Sequence, residues 1–244
     1  MNINEEKRNQ WQALKGMGFK AHWDYFWDYY KVHVIVGILV IVGIFSLAKD
    51  ILTQKPDAIN ITIINAAGIS DASPLEAGFA EYESIDTTKY NVAIDSTSSI
   101  NLQNPDSYTI ANSERIYSMI AAHDLDVMMA DTEVFENYAK NEMFLDLRDY
   151  FSDEEMNAFG DRIFYIDTAD YRNGDDYLEG QDSSDTNKDD ENVAHELIPV
   201  GIILSDNPHL KALEYYQYST PVIGLAVASE RSETGADFIR YLLK

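Results

Sequence analysis

The chain has no cysteine in its 244 residues. That excludes disulfides, thiolate metal sites, a cysteine nucleophile and a lipid-modified cysteine anchor. The fold must rest on packing and hydrogen bonds alone, which suits a bacterial envelope better than an animal ectodomain, where disulfides are usual. Basic residues are also scarce: 18 Lys and Arg stand against 42 Asp and Glu. From Ile51 onward the imbalance is 12 basic to 37 acidic, a net charge of −25. Such a surface repels phosphate backbones and anionic lipid, which argues against nucleic-acid partners. The acidity reads as a solubility device, with divalent-cation binding as the functional alternative. No P-loop, dinucleotide fingerprint or G-x-S-x-G elbow occurs. His22, His33, His123, His195 and His209 make no metal spacing, and His195-Glu196 lacks the second histidine of a zinc-protease helix. Carboxylates are too many for one acid–base pair to stand out. A non-catalytic protein without a cofactor is expected.

One long apolar run is present. Val32–Ala48, VHVIVGILVIVGIFSLA, holds a single ionisable side chain, His33. As a helix it extends about 25 Å, the short end of what a bilayer core requires. The tail before it carries Lys7, Arg8, Lys15, Lys20 and Lys31, against only Lys49 and Lys55 on the far side. The positive-inside rule then puts residues 1–31 in the cytoplasm and the body outside the cell membrane, as a single-pass protein. Trp23, Tyr25, Phe26, Trp27, Tyr29 and Tyr30 precede the run and suit a headgroup-level aromatic belt. A cleaved signal peptide ending at Ser46-Leu47-Ala48 is the rival, but the long aromatic segment ahead of the run favours a retained signal-anchor.

After a linker over 49–57, residues 58–244 alternate between strand and helix patterns. Ala58–Ala66, Tyr90–Asp95, Leu125–Ala130, Arg162–Asp167, Leu197–Leu204 and Pro221–Ala228 read as strands. Pro74–Ile85 and Asn112–Ala122 read as helices. Asp131 suits an N-cap, Ser152 to Glu155 forms a capping box, Asn207-Pro208 starts a short helix and Ser232 caps the last one. Residues 171–192 are acidic and almost without aliphatics, as in a flexible excursion. The pattern predicts an α/β domain with a largely parallel sheet and flanking helices.

One stretch carries a family resemblance. Leu125–Met156, LDVMMADTEVFENYAKNEMFLDLRDYFSDEEM, resembles the third strand and following helix of type II extracellular solute-binding proteins. Leu145-Asp146-Leu147 with Tyr150 is similar to the turn after that helix. Ile198–Ser205 and Pro221–Ala228, with a helix ending at Tyr241-Leu242-Leu243, resemble late pieces of the same family. The resemblance implies one lobe of that fold, with ligand contacts in the strand-end loops. Family members have two lobes. Here a single lobe with a hairpin-like insert at Arg162–Leu204 is expected, its anchor being a helix instead of a lipidated cysteine.

In parallel α/β sheets ligands sit beyond the carboxyl ends of strands. The expected ligand-binding residues are therefore Asn65, Ser96, Thr97, Ser98, Asp131 and Thr132, whose small polar groups and nearby amides suit a carboxylate, a sugar or a peptide group. Ordinary capping and turn chemistry explains the same residues. Asp185, Asn187 and Asp189, with Glu196 at the twelfth position, match calcium-loop spacing, although Asp190 stands where such a loop needs glycine. Two functions remain in view: an interaction protein of the cell envelope, and a small-molecule or peptide binding module beside a transporter. A deep pocket lined by Asn65, Ser96 and Asp131 would favour the module. An aromatic surface patch including Tyr215, Tyr216 and Tyr218 would favour the interaction protein.

Overall fold

A computed structural model describes residues 19–53, 55–67, 71–171 and 195–244. The chain divides into two units, 1–54 and 55–244. The described residues of the first form one helix, α1 (Phe19–Thr53), of 35 residues. It is about 52 Å long and so exceeds a hydrocarbon core of about 30 Å. Within it, Tyr30–Lys49 is apolar and long enough to cross a membrane. The helix runs straight through the expected cytoplasmic boundary and most of the expected 49–57 linker, because neither glycine nor proline interrupts those flanks. Trp23, Phe26, Trp27 and Tyr30 recur at helical spacing and stack along one side, with Trp23 and Trp27 centroids 6.4 Å apart.

The second unit is a sheet with helices on both faces. In chain order its elements are β1 (Asp57–Ile63), α2 (Ser73–Tyr82), β2 (Asn91–Asp95), α3 (Ser107–Ala121), β3 (Val127–Asp131) and α4 (Thr132–Ala139). Then follow α5 (Asp153–Phe159), β4 (Ile163–Asp167), β5 (Leu197–Ile203), α6 (Pro208–Ala212), β6 (Pro221–Leu225) and α7 (Ser232–Leu242). The strand order is β2-β1-β3-β6-β5-β4. The pairs β2–β1 and β1–β3 are parallel, whereas β3–β6, β6–β5 and β5–β4 are antiparallel. Four strands thus share one direction and β6 and β4 oppose them. The sheet is mostly parallel in strand direction, as expected, but mixed, because β6 and β4 run against the other four. The hairpin β4–β5 does form, but it extends the main sheet instead of standing apart from it.

Alternation along the central strands builds two cores. Ile59, Ile61 and Ile63 of β1, with Val127 and Met129 of β3, meet Phe79 of α2 and Phe238 and Ile239 of α7. Phe79 and Phe238 pack edge to face at 5.1 Å. On the other face Met128, Ala130 and Val222 meet Ile116 and Ile120 of α3 and Val134, Phe135 and Tyr138 of α4. Phe135 stacks on Phe144 at 4.1 Å and lies directly over two glycines. A Cβ at Gly201 would come within 2.7 Å of its ring, and one at Gly224 within 2.6 Å of the Val200 carbonyl oxygen.

Local capping follows the sequence closely. Asp131 accepts from the Val134 amide at 3.1 Å, and Asn207 from His209 and Leu210. Ser152 and Glu155 form the reciprocal box. α3 starts five residues earlier than its apolar spacing suggests, because Asp106 caps it through Thr109. Ser232 is not a cap. It is the first residue of α7, and its hydroxyl turns back to the Ser229 carbonyl.

Two ion pairs tie the C-terminal region to the rest of the body. Asp126 is completely buried at the start of β3. It accepts from the Asn60 amide (2.7 Å), the Ser229 hydroxyl (2.6 Å) and Arg231 Nε (2.8 Å). On α7, Arg240 joins Glu155 at 2.6 Å, Asp237 at 2.8 Å and the Tyr150 carbonyl at 2.9 Å, and lies over the Phe151 ring. Removing one partner of a buried pair strands the other. Asp126→Ala should therefore cost about 3–5 kcal/mol, and Asp126→Asn clearly less, in urea unfolding at neutral pH. The Arg240 guanidinium pulls the Glu155 carboxyl down to about 2. A folded-state value below the unfolded one stabilises fully above about pH 4.5, and that contribution disappears as pH falls toward 2. Glu155→Gln should flatten the acid limb of the stability profile by a small, salt-sensitive amount, since the pair is partly exposed.

Candidate functional site

The carboxyl ends of β1, β2 and β3 lie together, as the order β2-β1-β3 requires. The chain leaves β1 toward β2 on one side and arrives at β3 on the other, which makes the β1–β3 gap the topological switch point. All six expected ligand residues are at or just beyond these ends, and the structure shows how each is engaged.

Asn65 sits in the left-handed region at φ 60°, which turns its side chain across the strand ends. Its Nδ2 donates to the Ile100 carbonyl at 2.9 Å and to Asp131 Oδ2 at 2.6 Å. Its Oδ1 accepts from the Ile100 amide at 2.8 Å and the Ser99 hydroxyl at 3.1 Å. One amide group thereby stitches β1, β3 and the loop after β2. Asp131 spends one oxygen on Asn65 and the other on capping α4. Thr132 donates both its amide (3.1 Å) and its hydroxyl (3.0 Å) to the Thr220 carbonyl.

The loop after β2 is organised by Asp95. Its carboxylate accepts from the Thr97 amide (2.9 Å) and hydroxyl (2.7 Å), from Ser98 (3.1 Å) and from Arg115 of α3. Burial alone would raise the Asp95 carboxyl, but the Thr97 and Arg115 hydrogen bonds outweigh it and hold it below the ordinary range. Ser98 is buried between Asp95 and Arg115. Ser96 is buried beside the Tyr215 hydroxyl. Arg115 carries no signal in the sequence beyond being one more polar residue on an amphipathic helix.

The switch point is filled from within. The Tyr216 side chain enters it and its hydroxyl donates to the Ile64 carbonyl at 2.5 Å, with the Met129 carbonyl at 3.4 Å. Burial, reinforced by the Asp131 charge, pushes this phenol well above its ordinary value, so it remains a neutral donor. Tyr216 is only 7% exposed and Tyr215 3%, whereas Tyr218 is 95% exposed. The surface patch of three tyrosines that would have favoured an interaction protein does not form, and of the three only Tyr218 is at the surface. The other two are buried, in a segment whose Glu214 and Tyr216 take left-handed backbone conformations.

A depression of about 530 Å³ lies on the same edge, next to this segment, between the end of β5, α6 and the start of β6. Asp206, Lys211, Glu214 and Gln217 are among its lining residues, and Lys211 pairs with Asp206 at 2.8 Å. None of the six expected residues borders it. Of the expected calcium ligands, Asp185, Asn187 and Asp189 lie outside the described residues, and Glu196 pairs with Arg148 at 3.2 Å. Among the described residues no group of three or more His, Asp or Glu is placed to hold a metal ion.

Tyr216→Phe removes the donor that Ile64 depends on and leaves a buried carbonyl unsatisfied. It should cost about 1–3 kcal/mol, measured by denaturant unfolding, while keeping the ring's packing. Tyr218→Phe, at the exposed end of the same segment, should leave stability unchanged.

No family model, curated protein or solved structure matches the chain, so its functional assignment rests on this geometry.

Proposed function

We propose that the chain is a membrane-anchored, non-catalytic interaction protein whose body works on the outer side of the cell membrane, beside a protein partner of the envelope. One observation carries this reading: the sheet edge at which α/β proteins bind small ligands is occupied by the protein's own side chains. Asn65 and Asp131 are bonded to each other, Tyr216 fills the β1–β3 gap, and the Thr97, Ile100, Thr132 and Val134 amides there already have acceptors. The apolar helix supports an anchor, since a tethered body stays near other membrane proteins. The basic residues ahead of the span favour a cytoplasmic N-terminus. The resemblance of Leu125–Met156 to solute-binding proteins fits a lobe that has kept its scaffold while losing its cleft.

The second reading, a binding module for a small molecule or peptide beside a transporter, draws on the open depression next to Tyr216. Two measurements on the full chain separate them. Photocrosslinking residues placed around the body in native membranes should give adducts of one defined mass from one face only. A thermal-shift panel of amino acids, sugars and short peptides should give no change. A ligand at 100 times its dissociation constant adds roughly 2.7 kcal/mol and would raise the melting temperature by several degrees. Such a shift, with no discrete crosslink, would replace the first reading by the second.

A further inference from the structure

The depression on the β5–β6 side differs chemically from the strand ends beside it. No described lining residue is histidine or arginine; Lys211 is the one cation, and its ammonium is already held by Asp206 at 2.8 Å. Glu214 adds a second carboxylate to the lining. The neighbouring amides that would attract an anion are spent internally, on Asp95, Asn65, Asp131 and the Thr220 carbonyl. The body as a whole carries a large negative charge. An incoming group that gains from this surroundings is a cation, and an anion is opposed both locally and at long range.

The rim has a second feature. Tyr218 stands between two lining residues, Gln217 and Ser219, and at 95% is the most exposed of the large hydrophobic side chains described. Its backbone is held on both sides. Tyr215 and Tyr216 are buried before it, and Thr220 accepts from Thr132 after it. A tyrosine ring has few rotatable bonds and loses little freedom on binding, which is why tyrosine is frequent among the residues that dominate interfaces. Its face also attracts ammonium and guanidinium groups.

We propose that this depression is the docking point for a basic side chain of the partner protein, with Glu214 as its counter-ion and the Tyr218 ring against its stem. This rests on the interaction reading above and adds where the partner sits and what it presents. The chain's lack of cysteine makes a clean test possible, because one introduced thiol is the only one. The full chain in detergent carries a fluorinated label at Ser219→Cys on the rim, or at Thr87→Cys away from it. Each is titrated with a short lysine-bearing peptide and with the same peptide after lysine acetylation. The lysine peptide should move the Ser219 label and not the Thr87 label, and acetylation should weaken binding about tenfold. Glu214→Gln and Tyr218→Ser should each weaken it about threefold, in line with exposed ion-pair and cation–π contacts. Equal response of the two labels would mean general attraction to an acidic surface and would overturn the proposal. So would equal binding of the acetylated peptide, or no binding at millimolar concentration. Crosslinks from other faces of the body but none from position 218 would leave the interaction function standing and remove this site from it.

Discussion

The reversed strand β6 holds the body together. It is the last strand in the chain, yet it lies between β3 and β5, pairing antiparallel with both. On one side of it is a parallel unit built from the first half of the body, and on the other a hairpin from the second half. Without β6 these would be two sheets with open edges, each too small to bury both faces. Its surroundings reflect that position. Val222, Ile223 and Leu225 are wholly buried, and Gly224 has no side chain because Phe135, Phe144 and the Val200 carbonyl occupy the space. The segments before and after β6 are fastened to the parallel unit as well: Thr220 receives Thr132, and Ser229 and Arg231 close on Asp126.

That arrangement explains the state of the carboxyl edge. Because β6 runs backward, its entry, and not its exit, lies beside the ends of β1 and β3. The chain must therefore cross this edge on its way from α6 into β6, and the crossing segment is the one bearing Tyr215 and Tyr216. A tyrosine placed there meets the Ile64 carbonyl, which has no strand partner beyond the end of β1, and satisfies it. Filling of the switch point thus follows from topology: the protein's own backbone passes where a ligand would otherwise lie. The open depression is the remainder of the edge, on the far side of the same crossing segment.

What was legible in the sequence divides along contact distance. Caps and turns work within four residues, so Asp131, the Ser152–Glu155 box and Asn207-Pro208 could be read directly. Element order followed from periodicity. Strand direction did not, because β6 is set by pairing Asp131 with Pro221 and Val127 with Leu225, ninety or more positions away. The candidate residues divide in the same way. That Asn65, Ser96 and Asp131 converge follows from the rule for strand ends, but their mutual commitment is a tertiary fact, with Asn65 bonded to partners 35 and 66 positions along the chain. The burial of Tyr215 and Tyr216 was not legible because the 214–220 segment has neither a period of two nor of 3.6. Its left-handed residues decide which rings turn inward, and no local pattern marks a tyrosine or glutamate for that conformation.

The chain's charge acquires a role when set beside its helix. Under the proposed anchoring, a body with a net charge of −25 is repelled by anionic headgroups. The basic partner proposed above would be attracted to the same body over about one Debye length, roughly 8 Å at physiological salt. A tether of the proposed kind would raise the local concentration for that encounter without adding any contact. If the proposed partner docks at the Tyr218 rim, weak individual contacts would suffice there, because a tethered body that dissociates would stay near the same patch of membrane. The acidic body, the long helix and the exposed Tyr218 are consistent with the proposed interaction by proximity, for which a deep pocket would add little.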